Sequence, residues 1–175
     1  MPNKSPTTML SEEHKNILKV IDSLISEVNN LESSNKINKE FFEKAIGFIR
    51  GYADKFHHAK EEDLLFVELC KDTVQMHCNP THQMRHEHDI GRGFVKAMES
   101  GLKENNKQKL IENARSYAEL LREHIFKEDN ILYPMAEDAL SRKTKQAVAE
   151  KFEKLEKTGK GRKYITVAKE LEGKE

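Results

Sequence analysis

Residues 57–66 read HHAKEEDLLF, and residues 124–133 read HIFKEDNILY. The two stretches align without a gap. His57 falls opposite His124, Lys60 opposite Lys127, Glu61 opposite Glu128, Glu62 opposite Asp129 and Leu65 opposite Leu132. On an α-helix, residues i and i+4 share a face with Cβ atoms about 5–6 Å apart. A His-x-x-x-Glu pair therefore brings an imidazole and a carboxylate to one metal ion, or sets the carboxylate between two. A second match lies upstream of each stretch: EEHKNI (12–17) beside HEHDIG (86–91), with Glu13-His14 over Glu87-His88. The chain reads as two copies of one helical hairpin. Each copy offers one His from its first helix and a His-x-x-x-Glu from its second.

Apolar spacing decides which of these groups face inward. Leu10, His14, Ile17, Ile21, Leu24 and Val28 form one stripe at helical spacing. Phe42, Ile46, Ile49 and Ala53 form the next, and continuing it passes through His57, Glu61 and Leu64. The third holds Met84, His88, Gly91, Val95, Met98 and Leu102. The fourth holds Leu110, Ala114, Tyr117, Leu121, His124, Glu128, Ile131 and Met135. A lone histidine in such a stripe is ordinarily a satisfied core residue. Six polar groups are different, because each unpartnered buried charge costs several kcal/mol, and metal cations compensate that cost directly.

The candidate ligands are thus His14, His57, Glu61, His88, His124 and Glu128, three per half, with the two carboxylates bridging two metals. Zinc favours closed four-coordinate sites rich in Cys and His. A nitrogen and oxygen set with open positions points first to non-haem iron and second to manganese. His58 and Glu62 lie about 100° around the helix and become the inward pair if the register slips by one. Asp129 stands close enough to the stripe to replace or assist Glu128. Otherwise His58, Lys60 and Glu62 are expected to point sideways or out, with Leu64 and Leu65 closing the core beneath the site. His82 and His86 are spaced i, i+4, but the third stripe selects His88, which leaves His77, His82 and His86 as surface or supporting residues. Cys70, His77, Cys78 and His82 match no zinc spacing, and the cysteines read as packing residues or exposed thiols.

The elements that must position these groups are helices. Charged residues make up 34% of the 175, hydrophobic ones 37%, net charge is zero, and there are only 4 prolines and no tryptophan. That composition suits an all-α fold, an antiparallel up-down-up-down four-helix bundle with a short helical C-terminal tail. Asn38 is the expected N-cap of the second helix, which should end near Cys70, and Pro80 just precedes the third. Residues 9–138 are expected to form the metal-binding bundle and 139–175 a lysine-rich tail docked on it. In the tail, Val148, Phe152 and Leu155 suggest a short amphipathic helix, KTGKGRK (157–163) interrupts it, and YITVAKELE (164–172) adds one or two turns. No basic field indicates nucleic acid, no apolar run indicates a membrane span, and MPNKSPTTML lacks the apolar core of a signal peptide. A cytoplasmic protein is expected.

Taken in order, EEH, HHAKEEDLLF, HEHDIGR and LLREHIFKEDNILYPMAE resemble the hemerythrin family, in its HHE cation-binding branch, over about residues 9–138. The resemblance implies a bundle around a non-haem di-iron centre, oxo- or hydroxo-bridged, with manganese as the alternative. It implies the same six residues as ligands. Its partners would be O₂, NO or peroxide, with an electron donor where the metals cycle. Oxygen carriers of the family have two histidines at i, i+4 in the third helix and an Asp five residues after the last His. Here Met84 holds the first of those positions, while Asp129 stands at the last. Four histidines with two glutamates look more like the members implicated in iron sensing, in nitric oxide or peroxide response and in repair of iron centres. The expected function is to bind or react with O₂ or NO. The alternative is a di-iron enzyme reducing NO or peroxide, with Tyr52 or Tyr117 as hydrogen-bond or electron donor. A third reading gives the metal a purely structural or regulatory role.

Overall fold

A computed structural model describes residues 4–76 and 78–173, so His77 lies outside the described residues. Among the described residues there are six helices and no strand. Helix α1 spans Pro6–Ser34; Ser5 caps it by accepting from the Thr8 amide at 3.3 Å, and Asn35, in the left-handed region at φ 59°, closes it onto the Leu31 carbonyl. Helix α2 covers residues 39–69 and starts where expected, with the Asn38 side chain accepting from the Phe41 amide. Helix α3 is Thr81–Lys103, and α4 covers residues 107–139 behind an Asn106 cap. Helices α5 (Arg142–Lys157) and α6 (Arg162–Leu171) complete the chain.

The second and fourth helices are not uniform. Helix α2 is α-helical over Lys39–Phe48, widens to π-type turns over Ile49–His58 and Glu61–Leu65, and ends as an α-turn at Phe66–Leu69. Helix α4 widens at one place, Glu128–Leu132, before Tyr133–Ala139. The Phe66 amide donates to the Glu61 carbonyl, and the Tyr133 amide donates to the Glu128 carbonyl. The second wide stretch of α2 and the one in α4 thus both begin at the paired glutamates of the internal repeat. Such turns gather at functional sites, and each shifts the phase of everything beyond it. At the ends of these stretches Leu65 and Leu132 are buried, while Leu64 is half-buried and Ile131 is 48% exposed, against the α-helical phase read from the stripes.

Helix α3 lies along α4, and α1 contacts both α4 and α2. Two apolar clusters fill the interior, one around Ile21, Leu24, Phe42, Met98 and Leu110, the other around Leu10, Phe66, Met84, Leu132 and Phe152. On each long helix the inward polar residues sit at the boundary between the two. The tail is more extensive than the one or two turns expected for its second half. Phe152 of α5 is fully buried, and α6 packs on α1 and α2 through Ala168 and Leu171. Gly51 permits that contact, since a Cβ there would lie 1.9 Å from the Tyr164 hydroxyl. No described helix is long and apolar enough to cross a membrane.

A clasp joins α5 to the site-bearing helices. Glu137 accepts from the Thr7 hydroxyl and from Lys145 Nζ at 2.9 Å. Burial pushes the Glu137 carboxyl up, but Thr7 and Lys145 together hold it below its ordinary 4.5. A carboxyl lowered on folding stabilises above its unfolded value and stops doing so as pH falls below it. Amide protection over residues 142–157, corrected for intrinsic exchange, is therefore expected to drop as pH falls below about 4.5. Glu137→Gln should show the weaker protection at all pH values.

Candidate metal centre

Two groups of buried donors converge in the interior. His14, His57, Glu61 and Glu128 form one, and His58, Glu61, His88 and His124 the other, each set of donor atoms within 4.8 Å. Glu61 belongs to both. The arrangement follows the sequence repeat closely. His14 Nε2 stands 3.0 Å from His57 Nε2, and His88 Nε2 stands 3.0 Å from His124 Nε2. Glu128 turns one oxygen to His14 at 3.3 Å and the other to His124 at 3.1 Å. Glu61 Oε2 faces His88 at 3.5 Å and His57 at 3.8 Å.

Each of these four imidazoles is held from behind by a carboxylate. His57 Nδ1 pairs with Glu13 at 2.9 Å, His124 Nδ1 with Glu87 at 2.8 Å, His14 Nδ1 with Asp129 at 3.0 Å and His88 Nδ1 with Glu62 at 2.6 Å. A carboxylate only accepts, so Nδ1 carries the proton and Nε2 is directed at the interior as a lone-pair donor. Carboxylate–histidine support of this kind orients metal ligands and raises their basicity. Glu62 and Asp129 thus act as supports from the flank. Two lysines complete the pattern: Lys60 pairs with Glu13, and Lys127 with Glu87.

The charges show what is missing a partner. Glu61 Oε2, both Glu128 oxygens and His58 Nδ1 are buried with no hydrogen bond. Burial and the neighbouring Glu128 push the Glu61 carboxyl well above its ordinary range. Burial acts on Glu128 in the same sense, yet His124 and His14 hold it well below. Burial also opposes charge on the imidazoles. Glu128 and Glu87 nevertheless lift His124 to about 9, and Asp129 and Glu128 raise His14, whereas burial drives His57 and His88 down. Each Nε2–Nε2 contact therefore pairs one imidazole whose pKa is raised with one whose pKa is lowered. Bare nitrogens, unpartnered carboxylate oxygens and an all-N/O donor set suit divalent cations, and the residues fit a pair of them.

His58 was expected to point sideways; it is buried, stacked on His88 with ring centroids 3.8 Å apart, and belongs to the second donor group. The cause is the π-type stretch, whose wider turns let His57 and His58 both face in. Lys60, also expected outside, is fully buried between Phe56 and Phe152. Tyr133 is the tyrosine at the site: its hydroxyl donates to Glu61 Oε1 at 2.6 Å and its ring lies parallel to His14. Tyr52 instead packs on Phe48 and Phe56, and the Tyr117 ring packs beside Gly91. Met84 is a core residue, His82 and His86 are exposed, and Cys70 and Cys78 are exposed free thiols.

Two of the positions at which the repeat differs lie beside the site. His58 aligns with Ile125, and Phe66 with Tyr133. One half therefore has an extra imidazole and an aromatic ring, while the other has an aliphatic wall and a phenol. His58→Ile, which copies the other half, is expected to weaken one metal position and spare the other. Titration with Fe(II) or Mn(II) should then show two separated affinities, at least about tenfold apart.

An all-helical chain with two overlapping interior His/carboxylate groups defines a helical cation-binding domain. Residues 5–136 match the Hemerythrin HHE cation binding domain. The chain belongs to that family. Comparison with curated proteins and with solved structures gives no match.

Proposed function

We propose that this chain is a hemerythrin-like non-haem di-iron protein that binds or reacts with O₂ or NO, as a cytoplasmic sensor or scavenger. The observation that carries the proposal is Glu61, whose carboxylate belongs to both donor groups, with Glu128 spanning the same gap from the other side. In this reading His14 and His57 hold one metal, His88 and His124 hold the other with His58 beside them, and the two glutamates are shared. Manganese suits the same donors. Residues 9–138 are the metal-binding unit, an antiparallel up-down-up-down bundle, and 139–175 is a tail docked on it. Bundle cores host such carboxylate-bridged pairs.

The iron pair supplies redox electrons and open coordination positions. The chain supplies the rest. Glu13, Glu62, Glu87 and Asp129 fix the imidazole tautomers, Glu61 and Glu128 offset the cation charge, and the Tyr133 hydroxyl fixes Glu61. Anaerobic protein loaded with Fe(II), mixed with O₂ or NO, is expected to give a visible band that reverses when the gas is removed. A spectrum that neither gas changes would overturn the proposal.

One observation favours turnover as a second reading. The Tyr133 hydroxyl lies 2.6 Å from Glu61 and 3.4 Å from His14 Nε2, where a proton can pass to or from the site. Peroxide or NO consumed over many cycles with an added electron donor, and slowed in Tyr133→Phe, would select this reading.

A further inference from the structure

A cavity of about 470 Å³ lies between α2, α3 and α4, and its inner wall includes His58, His88 and His124. On the opposite half of the site α5 and α6 cover the helices, and the cleft of about 290 Å³ on that side reaches Glu13 but no histidine. A water occupies about 30 Å³, so the cavity far exceeds what a diatomic gas requires. It falls within the roughly 300–1,000 Å³ of small-molecule sites.

The lining identifies the kind of molecule. Ile49, Val95, Leu121 and the buried ring of Tyr117 make apolar walls. The Tyr117 hydroxyl has no hydrogen-bond partner among the described residues, and burial pushes its pKa up, so it remains a donor. The acids of the lining are already engaged: Asp54 with Arg92 at 2.8 Å and Glu87 with His124 at 2.8 Å. Arg50 is engaged with Glu99 at 2.9 Å. Lys55 and Lys96 are not. Both are exposed cavity residues without an ion-pair partner among the described residues. The uncommitted charge of the cavity is positive, and its body is apolar.

We propose that this cavity binds an amphipathic organic carboxylate, its anionic head between Lys55 and Lys96 and its hydrocarbon body against Val95, Tyr117 and Leu121, directed toward the half of the metal site that carries His58. The proposal deepens the reading of that site as a metal centre and rests on it for the significance of the direction, not for the binding itself. Burial of an alkyl body contributes about 0.8 kcal/mol per CH₂, which makes a medium-chain acid a suitable probe.

The test is calorimetric titration of the metal-loaded protein with octanoate, with 1-octanol as the uncharged control and metal content measured on the same sample. One octanoate per chain is expected, with octanol at least about tenfold weaker, the equivalent of one lost ionic contact. The Lys55→Gln/Lys96→Gln variant should lose about tenfold in octanoate affinity while keeping its metal. Leu120→Trp, at a half-buried position on the lining, should block octanoate without disturbing the core, and circular dichroism checks that it folds. Absence of octanoate binding, equal binding of octanol, or wild-type affinity in both variants would overturn the proposal. Octanoate binding by a sample that holds no metal would sustain the cavity assignment and refute the metal reading instead.

Discussion

Replacing Glu61 with alanine is expected to reduce bound metal from two ions per chain to one or none. Glu61 is the residue common to both donor groups, so a single change damages both positions. Glu62→Ala is a useful contrast, because Glu62 supports His88 through Nδ1 and faces the site only indirectly. Loss of such a support typically costs 10–100-fold in affinity, which leaves metal bound at high concentration. A ligand present at 100 times its Kd stabilises a fold by about 2.7 kcal/mol. For a chain of this size, each kcal/mol moves Tm by about 2–4 °C. Glu61→Ala should therefore abolish a metal-dependent Tm rise of about 5–10 °C for each occupied position. Elemental analysis and melting curves, with and without added Fe(II), check both parts. Two ions retained in Glu61→Ala would refute its shared role.

The second large effect concerns Glu13. Its carboxylate holds both His57 and Lys60, and Lys60 is fully buried. Removing one partner of a buried ion pair costs about 3–5 kcal/mol, because the other charge is left without compensation. Glu13→Ala is expected to lower Tm by about 6–20 °C. The repeat provides the control. Glu87 holds His124 and Lys127 in the same way, but the Lys127 side chain is 33% exposed and can turn to water. Glu87→Ala releases an equivalent imidazole, so the difference between the two variants isolates the lysine, and Glu13→Ala should be clearly the worse. Adding Lys60→Met to Glu13→Ala should recover most of the loss, since a buried pair replaced by apolar groups is often neutral. Equal Tm losses at Glu13 and Glu87 would contradict this account.

These two cases also show where the sequence was legible. In the regular helices α1 and α3, the stripe alone points to His14 and His88, and both face the interior. In α2 and α4 the wide turns change the phase, so a period of 3.6 misplaces Leu64, Ile131 and His58. The internal repeat still places Glu61 and Glu128 alike, because the stretches Glu61–Leu65 and Glu128–Leu132 start at the same repeat position. The same repeat hides the asymmetry, since His58 has only Ile125 for comparison. Lys60 looked solvated for a different reason. What covers it is Phe152, distant in sequence and on a tail whose docking no local pattern specifies. Tyr133 was within reach as the last residue of HIFKEDNILY, the one aromatic there that aligns with an aromatic, Phe66. Helical class, cap positions such as Asn38 and the paired glutamates depend on local spacing. The burial of Lys60 and the cavity beside His58 depend on contacts between distant segments.

The proposed di-iron centre has two metals sharing Glu61 and Glu128. X-ray absorption at the iron edge, on protein loaded anaerobically and assayed for iron, tests it most directly. Two irons per chain and an iron–iron scattering shell at about 3.5–4 Å, lost in Glu61→Ala, are expected. A single iron per chain, or two irons with no shell between them, would contradict it.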